Sequence, residues 1–319
     1  MKDWRAAMND YGRSRTPFFF LLDFELCRPR VFLLEEVANA GITYSFHSPV
    51  LLRPDLNAGI TLTSPFPYEK YEQGFREVQK ALSLGDSYLV NYTAKHGISL
   101  DNSLENTFEA SRADYKLIDR DYGILVFSPE CFVRTSGNEI FTFPMKGTIS
   151  AAVPDAANVL LNDIKEKAEH VTIVDLLRND LSRVAQQVRV DQFRYLQKIR
   201  TRTGDVWQTS SKISGNLDAD WRNRIGDMLQ VLLPAGSVSG APKARTCEII
   251  RSVEPDPRGY YCGVMGVFDG QNLDSAVMIR FIEKSEGGYY YRSGGGITLG
   301  SDCRKEYDET LTKVYVPVV

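Results

Sequence analysis

The run Ile140-Phe141-Thr142-Phe143-Pro144-Met145-Lys146-Gly147-Thr148-Ile149-Ser150 contains one charged side chain, Lys146, which is also the only charge between Glu139 and Asp155. The segment Glu139–Thr142 predicts a β-strand that leads into this run. An isolated lysine there has two interpretations. It is a strand-end residue whose stem packs on apolar neighbours while its ammonium group reaches water, or a partly desolvated amine that can act as a nucleophile.

Short apolar and aromatic runs on either side predict further strands. They are Phe18–Phe24, Ser87–Tyr92, Ile124–Val126, Cys131–Thr135, Val188–Val190, Gly263–Phe268, Ser275–Phe281 and Tyr289–Ser293. Helical periodicity predicts helices between them, at Tyr68–Leu84, Leu104–Arg112, Ala157–Leu177, Trp221–Leu232, Ala241–Ser252 and Arg304–Lys313. Because strands and helices come in mixed blocks, the sequence predicts an α+β fold with largely antiparallel pairing. The Pro-, Thr- and Gly-containing residues 54–67 are expected to form a surface connection.

Composition excludes several classes of protein. The 319 residues are 43% hydrophobic and 25% charged, with a net charge of −3, so we expect no nucleic-acid partner. The apolar segment Phe18–Leu22 is too short to span a bilayer, and the start has no secretory pattern, so we expect no membrane partner. The five cysteines are scattered and never form a CxxC pair. That spacing favours a reducing compartment, and we expect a cytoplasmic protein.

Two predicted helices carry the same pair of glutamates. Glu166 and Glu169 stand three residues apart, as do Glu306 and Glu309, so each pair lies on one helix face. If the two helices face each other, up to four carboxylates converge, which suits a hard divalent cation such as Mg²⁺. The alternative is two solvated helix faces whose carboxylates pair with nearby lysines and arginines.

Two glycine-containing segments are candidates for binding an anion. Gly294-Gly295-Gly296 follows a Tyr-rich strand and is expected to form a turn whose bare backbone N–H groups can approach an anion. Leu233 to Lys243 leads into a helix that starts near Ala241-Pro242. Neither matches a P-loop or a dinucleotide-binding fingerprint, so each is also compatible with a plain turn.

Three further side chains are ambiguous on their own. Arg280 is expected to end the strand Ser275–Phe281, where it holds a carboxylate or forms a structural ion pair. Glu130 precedes the strand Cys131–Thr135 and is either a turn residue or a partly buried acid with a raised pKa. His170 belongs either to the core or to a site.

Together these segments make the chain resemble the chorismate-utilising enzymes, the family of anthranilate synthase, aminodeoxychorismate synthase, isochorismate synthase and salicylate synthase. The resemblance covers about Tyr68 to Lys313 and rests on motifs that occur in the family's order. They are Gly85-Asp86-Ser87-Tyr88, Ser128-Pro129-Glu130, Pro144 to Thr148, Glu166 to His170, Asp175 to Leu181, Pro234 to Lys243, Ala276 to Arg280, Gly294 to Ile297 and Glu306 to Lys313. It implies one large α+β domain with two mostly antiparallel β-sheets sandwiched between helices. Residues 1–67 would be an N-terminal segment integrated into that fold, and 68–319 the chorismate-binding catalytic region.

Two positions separate the reactions within that family. Variants that add water to the ring resemble one another in a lysine base where this chain has Leu89, and a leucine cannot activate water. Anthranilate synthases look like Pro-x-Ala-Gly-Thr around position 146, whereas 4-amino-4-deoxychorismate synthases resemble the Pro-x-Lys-Gly-Thr found here. The resemblance therefore implies amination of chorismate at C4, in 4-aminobenzoate and folate biosynthesis. The alternatives are anthranilate synthesis and a chorismate-binding regulatory subunit without turnover.

The same resemblance implies a role for each site residue. Lys146 would attack C2 of chorismate as a neutral amine, its pKa depressed by Mg²⁺ and an apolar wall, while Glu130 protonates the departing C4 hydroxyl. Mg²⁺ would be held by Glu169 and Glu309, with Glu166 and Glu306 close by. Substrate would be bound by Arg280, Gly294, Gly295, Gly296, Lys313, Gln208 and Ser237. Gln208 stands where family members have a histidine, which puts any acid–base role there in doubt. The expected partners are chorismate and a glutamine amidotransferase that supplies ammonia.

Overall fold

The structure of the chain is a computed structural model that describes residues 3–47, 59–201 and 204–317. Its strands form two sheets, and every strand pairing recorded in them is antiparallel. The predicted α+β class with two antiparallel sheets and helices is therefore confirmed.

The nine-stranded sheet has the order β10-β12-β9-β8-β15-β14-β1-β2, and β11 pairs with β12 outside this path. Its strands are β1 (Phe18–Leu22), β2 (Arg30–Leu33), β8 (Cys131–Ser136), β9 (Glu139–Thr142), β10 (Met145–Ser150), β11 (Gln186–Thr201), β12 (Gly204–Asn216), β14 (Val264–Phe268) and β15 (Leu273–Val277).

The eight-stranded sheet has the order β13-β5-β17-β16-β7-β6-β3, and β4 pairs with β5. Its strands are β3 (Ile42–Phe46), β4 (Ile60–Ser64), β5 (Leu89–Leu100), β6 (Tyr115–Asp119), β7 (Ile124–Ser128), β13 (Gly240–Ala241), β16 (Phe281–Ser285) and β17 (Gly288–Ile297).

Helices pack around the two sheets. They are α1 (Trp4–Ser14), α2 (Tyr68–Ser83), α3 (Leu104–Ala110), α4 (Ala156–Asn162), α5 (Ile164–Ser182), α6 (Ile225–Leu232), α7 (Lys243–Val253) and α8 (Cys303–Thr312). Helix α5 packs on β10, β11 and β12, whereas α8 packs on β17. Both helices begin at an aspartate whose carboxylate accepts a backbone N–H of the first turn, Asp163 for α5 and Asp302 for α8. Such caps fix where a helix starts, and here they fix the register of both glutamate pairs.

The strand β1 explains how the N-terminal part joins the core. All five residues of Phe18–Leu22 are buried, so the run is continuously apolar instead of alternating. Strand β1 lies between β14 and β2 in the nine-stranded sheet. Phe19 also stacks on Tyr44 of the other sheet, with ring centroids 4.6 Å apart. Full burial of each such ring contributes roughly 1.5–3 kcal/mol. The predicted boundary between residues 67 and 68 stays a prediction.

Two of the links by which the chain passes from one sheet to the other lie side by side. One is the Pro129-Glu130 link from β7 to β8, and the other is the 278–280 link from β15 to β16. The links are joined by hydrogen bonds from Val277 N to the Glu130 carbonyl and from Phe127 N to the Arg280 carbonyl, both 3.1 Å. The prediction of one strand at Ser275–Phe281 is therefore wrong, because the backbone changes sheet there and Arg280 takes a left-handed φ of 53°.

Three other local predictions also need correction. Residues 157–177 form parts of two helices, because the extended backbone of Asp163 ends α4 and caps α5. Gly294–Gly296 is not a turn but the end of β17. Within the expected connection 54–67, Ile60–Ser64 forms β4, and residues 54–58 lie outside the described part of the chain.

None of the described helices is both long enough and apolar enough to cross a membrane. All five cysteines are free of disulfide bonds.

Candidate functional site

A cavity of about 220 Å³ opens where the two crossing links meet the end of β17. Eight of the residues predicted to act on substrate line it, namely Glu130, Gln208, Ser237, Arg280, Gly294, Gly295, Gly296 and Lys313. The remaining predicted residues, Lys146 and the four glutamates, lie beside this cavity. A Cβ built on Gly295 would lie 3.5 Å from Glu306 Oε2 and 3.7 Å from Glu309 Oε1. Residues that are far apart in the sequence thus form one site with a binding pocket and an acidic cluster.

The end of β17 presents free backbone donors to the cavity. Gly294 pairs with Thr93 and Gly296 with Asn91. The N–H of Thr93 donates to Glu254 and that of Asn91 to the Ser239 carbonyl, so both point away from β17. In an antiparallel ladder, opposed residues exchange both hydrogen bonds or neither. The N–H groups of Gly294 and Gly296 therefore point away from β5, into the space beyond the last pair of β16 with β17, Phe281 with Arg292.

Glycine is needed at these positions because the neighbouring chain is close. A Cβ on Gly294 would lie 2.5 Å from the Tyr92 carbonyl oxygen, and one on Gly296 would lie 2.9 Å from Leu89 Cδ1. The anion-binding role of this segment stays a prediction, and its candidate donors lie on a strand edge rather than in a turn.

Arg280 supplies a cation to the same cavity. The residue is partly buried, its Nε contacts the Tyr315 hydroxyl at 3.4 Å, and its guanidinium lies 5.5 Å from that ring's centroid. In the described part of the chain, Arg280 forms no ion pair with a carboxylate. A guanidinium in this state is suited to hold a carboxylate in the bidentate manner. Lys313 adds a second cation, and its Nζ donates to the Gly294 carbonyl at 2.7 Å and to Glu309 at 2.6 Å.

Glu130 lines the same cavity as the two cations Arg280 and Lys313. Its carboxylate accepts a hydrogen bond from the Ser237 hydroxyl. Burial raises the pKa of Glu130, while the Ser237 hydrogen bond and the charge of Arg280 act against that rise without cancelling it. The direction of this shift agrees with the interpretation of Glu130 as a partly buried acid. A carboxyl group of this kind can stay protonated near neutral pH and donate a proton.

An irregularity in strand β10 sets the direction of the Lys146 side chain. The register between β10 and β12 shifts between Met145 and Thr148, and Gly147 has a φ of 83°. Such a β-bulge bends the strand and redirects its side chains. The Thr209 hydroxyl donates to the Lys146 carbonyl and holds the bulge. The Lys146 ammonium group then lies 2.6 Å from Glu169 Oε2 on α5.

The side chains around Lys146 are acidic, and the depression of its pKa by Mg²⁺ stays a prediction. Burial alone lowers the pKa of Lys146, but the charges of Glu169, Glu166 and Glu309 outweigh it, so the pKa is raised above the ordinary value. Unless these carboxylates are neutralised, Lys146 carries a proton near neutral pH.

Both glutamate pairs lie near Lys146, one pair on α5 and the other on α8. Burial first, and then the like charge of Glu169, raises the pKa of Glu166. Burial and the like charge of Glu309 raise that of Glu306 in the same way. Among the residues that the structure describes, no three His, Cys, Asp or Glu side chains are close enough to one another to hold a metal ion.

The donor set still fits a hard divalent cation in its chemistry. It consists of carboxylate oxygens, which Mg²⁺ prefers and uses one or two at a time. One of them, Glu166 Oε2, is buried without any hydrogen-bond partner. Two others, on Glu169 and Glu309, have only lysine partners here, at 2.6 Å each. A bound cation would balance the excess negative charge of this cluster and would coordinate the buried Glu166 oxygen that lacks a partner.

The other predicted residues are also located. Gln208 lies on β12 directly before Thr209, and its backbone pairs with Thr148 of β10. His170 is buried and its Nε2 is 2.7 Å from the Ser211 hydroxyl. Burial lowers the pKa of His170 to about 4, so this histidine is a neutral core residue.

The sequence interpretation missed one residue of the cavity wall and an ion pair behind it. Asn91 lines the cavity, and its Oδ1 is buried without a partner. Behind it lies a buried ion pair between Arg258 and Glu254. Asn91 belongs to the strand after Gly85-Asp86, which could have suggested it. No pattern in the sequence distinguished Arg258 from a surface arginine.

Comparison with known proteins identifies a family and several similar chains. The profile of a family described as chorismate binding enzymes matches residues 35–318. A Haemophilus influenzae protein with the name uncharacterized PabA-like protein is 50% identical over 322 residues, which cover 100% of this chain and 97% of that one. The aminodeoxychorismate synthase component 1 of Salmonella typhimurium is 35% identical over 260 residues, covering 77% of this chain and 56% of that protein.

A solved structure shows the same fold. The menaquinone-specific isochorismate synthase of Escherichia coli superposes with a TM-score of 0.73 at 19% identity, over 96% of this chain and 79% of that one. At that identity the similarity supports the architecture and carries no information on the reaction.

Proposed function

Because this chain belongs to the family of chorismate-binding enzymes, we propose that it aminates chorismate at C4 to give 4-amino-4-deoxychorismate. The observation that carries the proposal is Lys146, a lysine brought by a β-bulge to the edge of a cavity lined by Arg280 and Glu130. The 35% identity to an aminodeoxychorismate synthase component 1 supports it. Leu89 beside Gly296 leaves no base there to activate water.

In the proposed reaction, the carboxylates of chorismate bind to the cations and the free N–H groups of the cavity. Arg280, Lys313 and the N–H groups of Gly294 and Gly296 provide these contacts. Lys146 Nζ, once deprotonated, forms a bond to C2 of the ring while both ring double bonds shift and the C4–O bond breaks. Glu130 gives its proton to the leaving hydroxyl, which departs as water. Ammonia then adds at C4 and the C2–Nζ bond breaks, which frees the lysine.

We propose Mg²⁺ as the cofactor, held by two or more of the carboxylates of Glu166, Glu169, Glu306 and Glu309. Bound there, the cation would neutralise these carboxylates and attract an anionic oxygen of the substrate. It would thereby reduce the negative charge that keeps Lys146 protonated.

We predict that Glu306→Gln weakens Mg²⁺ binding about tenfold or more, since it removes one charged oxygen donor from the cluster. Isothermal titration calorimetry of Mg²⁺ in the presence of chorismate measures the affinity directly. The matched control is Asp308→Asn, on the same helix, where the carboxylate pairs with Arg304 at the surface. An unchanged Mg²⁺ affinity in Glu306→Gln would remove Glu306 from the metal site.

We predict that Ser237→Ala moves the alkaline arm of the pH–activity profile to higher pH. The acid is active in its protonated form, so activity falls as the pH rises through the pKa of Glu130. The Ser237 hydroxyl stabilises the carboxylate form, and its loss lets burial raise the pKa of Glu130 further, against the remaining charge of Arg280. The measurement is kcat/KM for chorismate against pH at constant free ammonia. A shift to lower pH would show that Glu130 is not the acid.

A glutamine amidotransferase is the proposed source of ammonia. The chain by itself is then expected to use ammonium but not glutamine, and to gain glutamine-dependent activity when the amidotransferase subunit is added. If the purified chain alone used glutamine as the nitrogen donor, the proposal that a separate amidotransferase supplies the ammonia would be contradicted.

The function is tested by incubating the purified chain with chorismate, Mg²⁺ and ammonium at alkaline pH. We expect a product with the mass and absorbance of 4-amino-4-deoxychorismate, without release of pyruvate. Fluorescent anthranilate together with pyruvate would assign the chain to the anthranilate synthase reaction. Binding of chorismate without turnover would indicate a regulatory subunit.

A further inference from the structure

Arg258 is the largest fully buried side chain in the described part of the molecule, with 1% of its surface exposed. It follows α7 in the sequence, and its guanidinium lies in the protein interior next to the cavity wall. Its Nε donates to Glu254 Oε2 at 2.8 Å and its Nη2 to Glu254 Oε1 at 2.5 Å. The guanidinium also lies 4.6 Å from the centroid of the Phe24 ring. Arg258 does not line the cavity.

The remaining donors of Arg258 hold two backbone carbonyls that belong to the cavity wall. Nη1 donates to the Val238 carbonyl and Nη2 to the Asn91 carbonyl, each at 2.7 Å. Val238 follows Ser237, which donates to Glu130. Asn91 points an unpaired amide oxygen into the same buried region. The guanidinium of Arg258 therefore connects the turn that contains Ser237 with the strand that contains Asn91 through hydrogen bonds.

The partner carboxylate extends this connection to the glycine edge. Glu254 Oε1 accepts the N–H of Thr93 at 3.0 Å and its hydroxyl at 2.8 Å. Thr93 is opposite Gly294, and Asn91 is opposite Gly296. The ion pair thus fixes the segment of β5 that supports the free N–H groups of the anion-binding edge.

We propose that Arg258 is a positioning residue for turnover, which sets the distance between the Ser237 turn and β5 and so the placement of Glu130 relative to the glycine edge. The inference rests on the proposed function. A lysine could hold one of these carbonyls but not all the acceptors at once, because only the planar guanidinium donates in several fixed directions.

The test compares Arg258→Lys with Arg222→Lys. Arg222 is a matched control, since it is also buried and donates to backbone carbonyls, those of Gln271 and Gly137, and it does not line the cavity. Both variants are expected to lower the melting temperature. Only Arg258→Lys is expected to lower kcat for chorismate, by about tenfold or more, which corresponds to a misplacement of catalytic groups. Equal kcat values in the two variants would overturn the proposal.

A double-mutant cycle with Ser237→Ala separates positioning from general loss of stability. If Arg258 acts through the Ser237 turn, the Ser237→Ala substitution costs clearly less in Arg258→Lys than in the wild type. Purely additive effects would contradict the inference. Should Arg258→Lys fail to fold, Thr93→Val leaves the ion pair intact, and its kcat is expected to fall severalfold. An unchanged kcat there would overturn the proposal too.

Failure of the proposed function gives a different pattern. If the wild-type chain makes a product other than 4-amino-4-deoxychorismate, the same comparison of kcat is made for that product. If it makes none, the chorismate Kd replaces kcat, and Arg258→Lys is expected to raise it more than Arg222→Lys does. Equal Kd values, or no binding by the wild type, would count against the role of Arg258.

Discussion

Lys146→Ala is expected to lower turnover of chorismate by about a thousandfold or more, because it removes the nucleophile while leaving the cavity wall in place. The Lys146 side chain is 36% exposed and pairs with Glu169, so the substitution creates no large void in the core. The KM for chorismate is expected to change far less than kcat, since Arg280 and the glycine edge remain. Steady-state kinetics with ammonium as the nitrogen donor measure both constants.

The control for this substitution is Lys165→Ala. Lys165 also pairs with Glu169, at 3.7 Å, but its side chain is 67% exposed and projects from the surface of α5. Loss of this lysine changes the charge of the cluster by the same amount as loss of Lys146. A comparable fall in kcat in both variants would mean that charge balance, and not nucleophilic attack, is what Lys146 provides.

Glu130→Gln is expected to lower kcat by about 10²- to 10³-fold, in the range typical of general acid catalysis. Glutamine keeps the shape and an acceptor for the Ser237 hydroxyl, but it has no proton to give to the leaving C4 hydroxyl. The alkaline arm of the pH profile that belongs to Glu130 should also disappear. Rates measured from pH 6 to pH 10 test both expectations.

A glutamate away from the cavity serves for comparison. Glu139→Gln removes a carboxylate that pairs with Arg189 on the surface of the nine-stranded sheet, and its kcat should stay close to that of the wild type. If Glu130→Gln behaves like Glu139→Gln, another group protonates the leaving hydroxyl.

Most of the site residues were assigned through the resemblance to a known family, and only part of the site was visible in local patterns of the sequence. The spacing of Glu166 with Glu169 and of Glu306 with Glu309 placed each pair on one helix face, and the structure places both pairs beside Lys146. The isolation of Lys146 in an apolar run also pointed to an unusual lysine. Patterns of this kind depend on only a few neighbouring residues, so they can be read from the chain.

What the sequence could not predict depends on contacts between distant segments. The glycines 294–296 looked like a turn, but they are strand residues that allow β17 to approach Tyr92 and Leu89 closely. The run 275–281 looked like one strand, because its apolar character continues through the point where the chain changes sheet. The direction of the Lys146 pKa shift depends on Glu166, Glu169 and Glu309, which no sequence neighbour indicates.

The central claim is that Lys146 bonds covalently to chorismate during amination, and peptide-level mass spectrometry tests it most directly. The chain is mixed with chorismate and Mg²⁺ in the absence of ammonia, so that the second step cannot release the lysine. We predict a protein adduct with the mass of chorismate less one water, located on the peptide that contains Lys146 and absent from Lys146→Ala. An adduct on another residue, or one that persists in Lys146→Ala, would contradict the account.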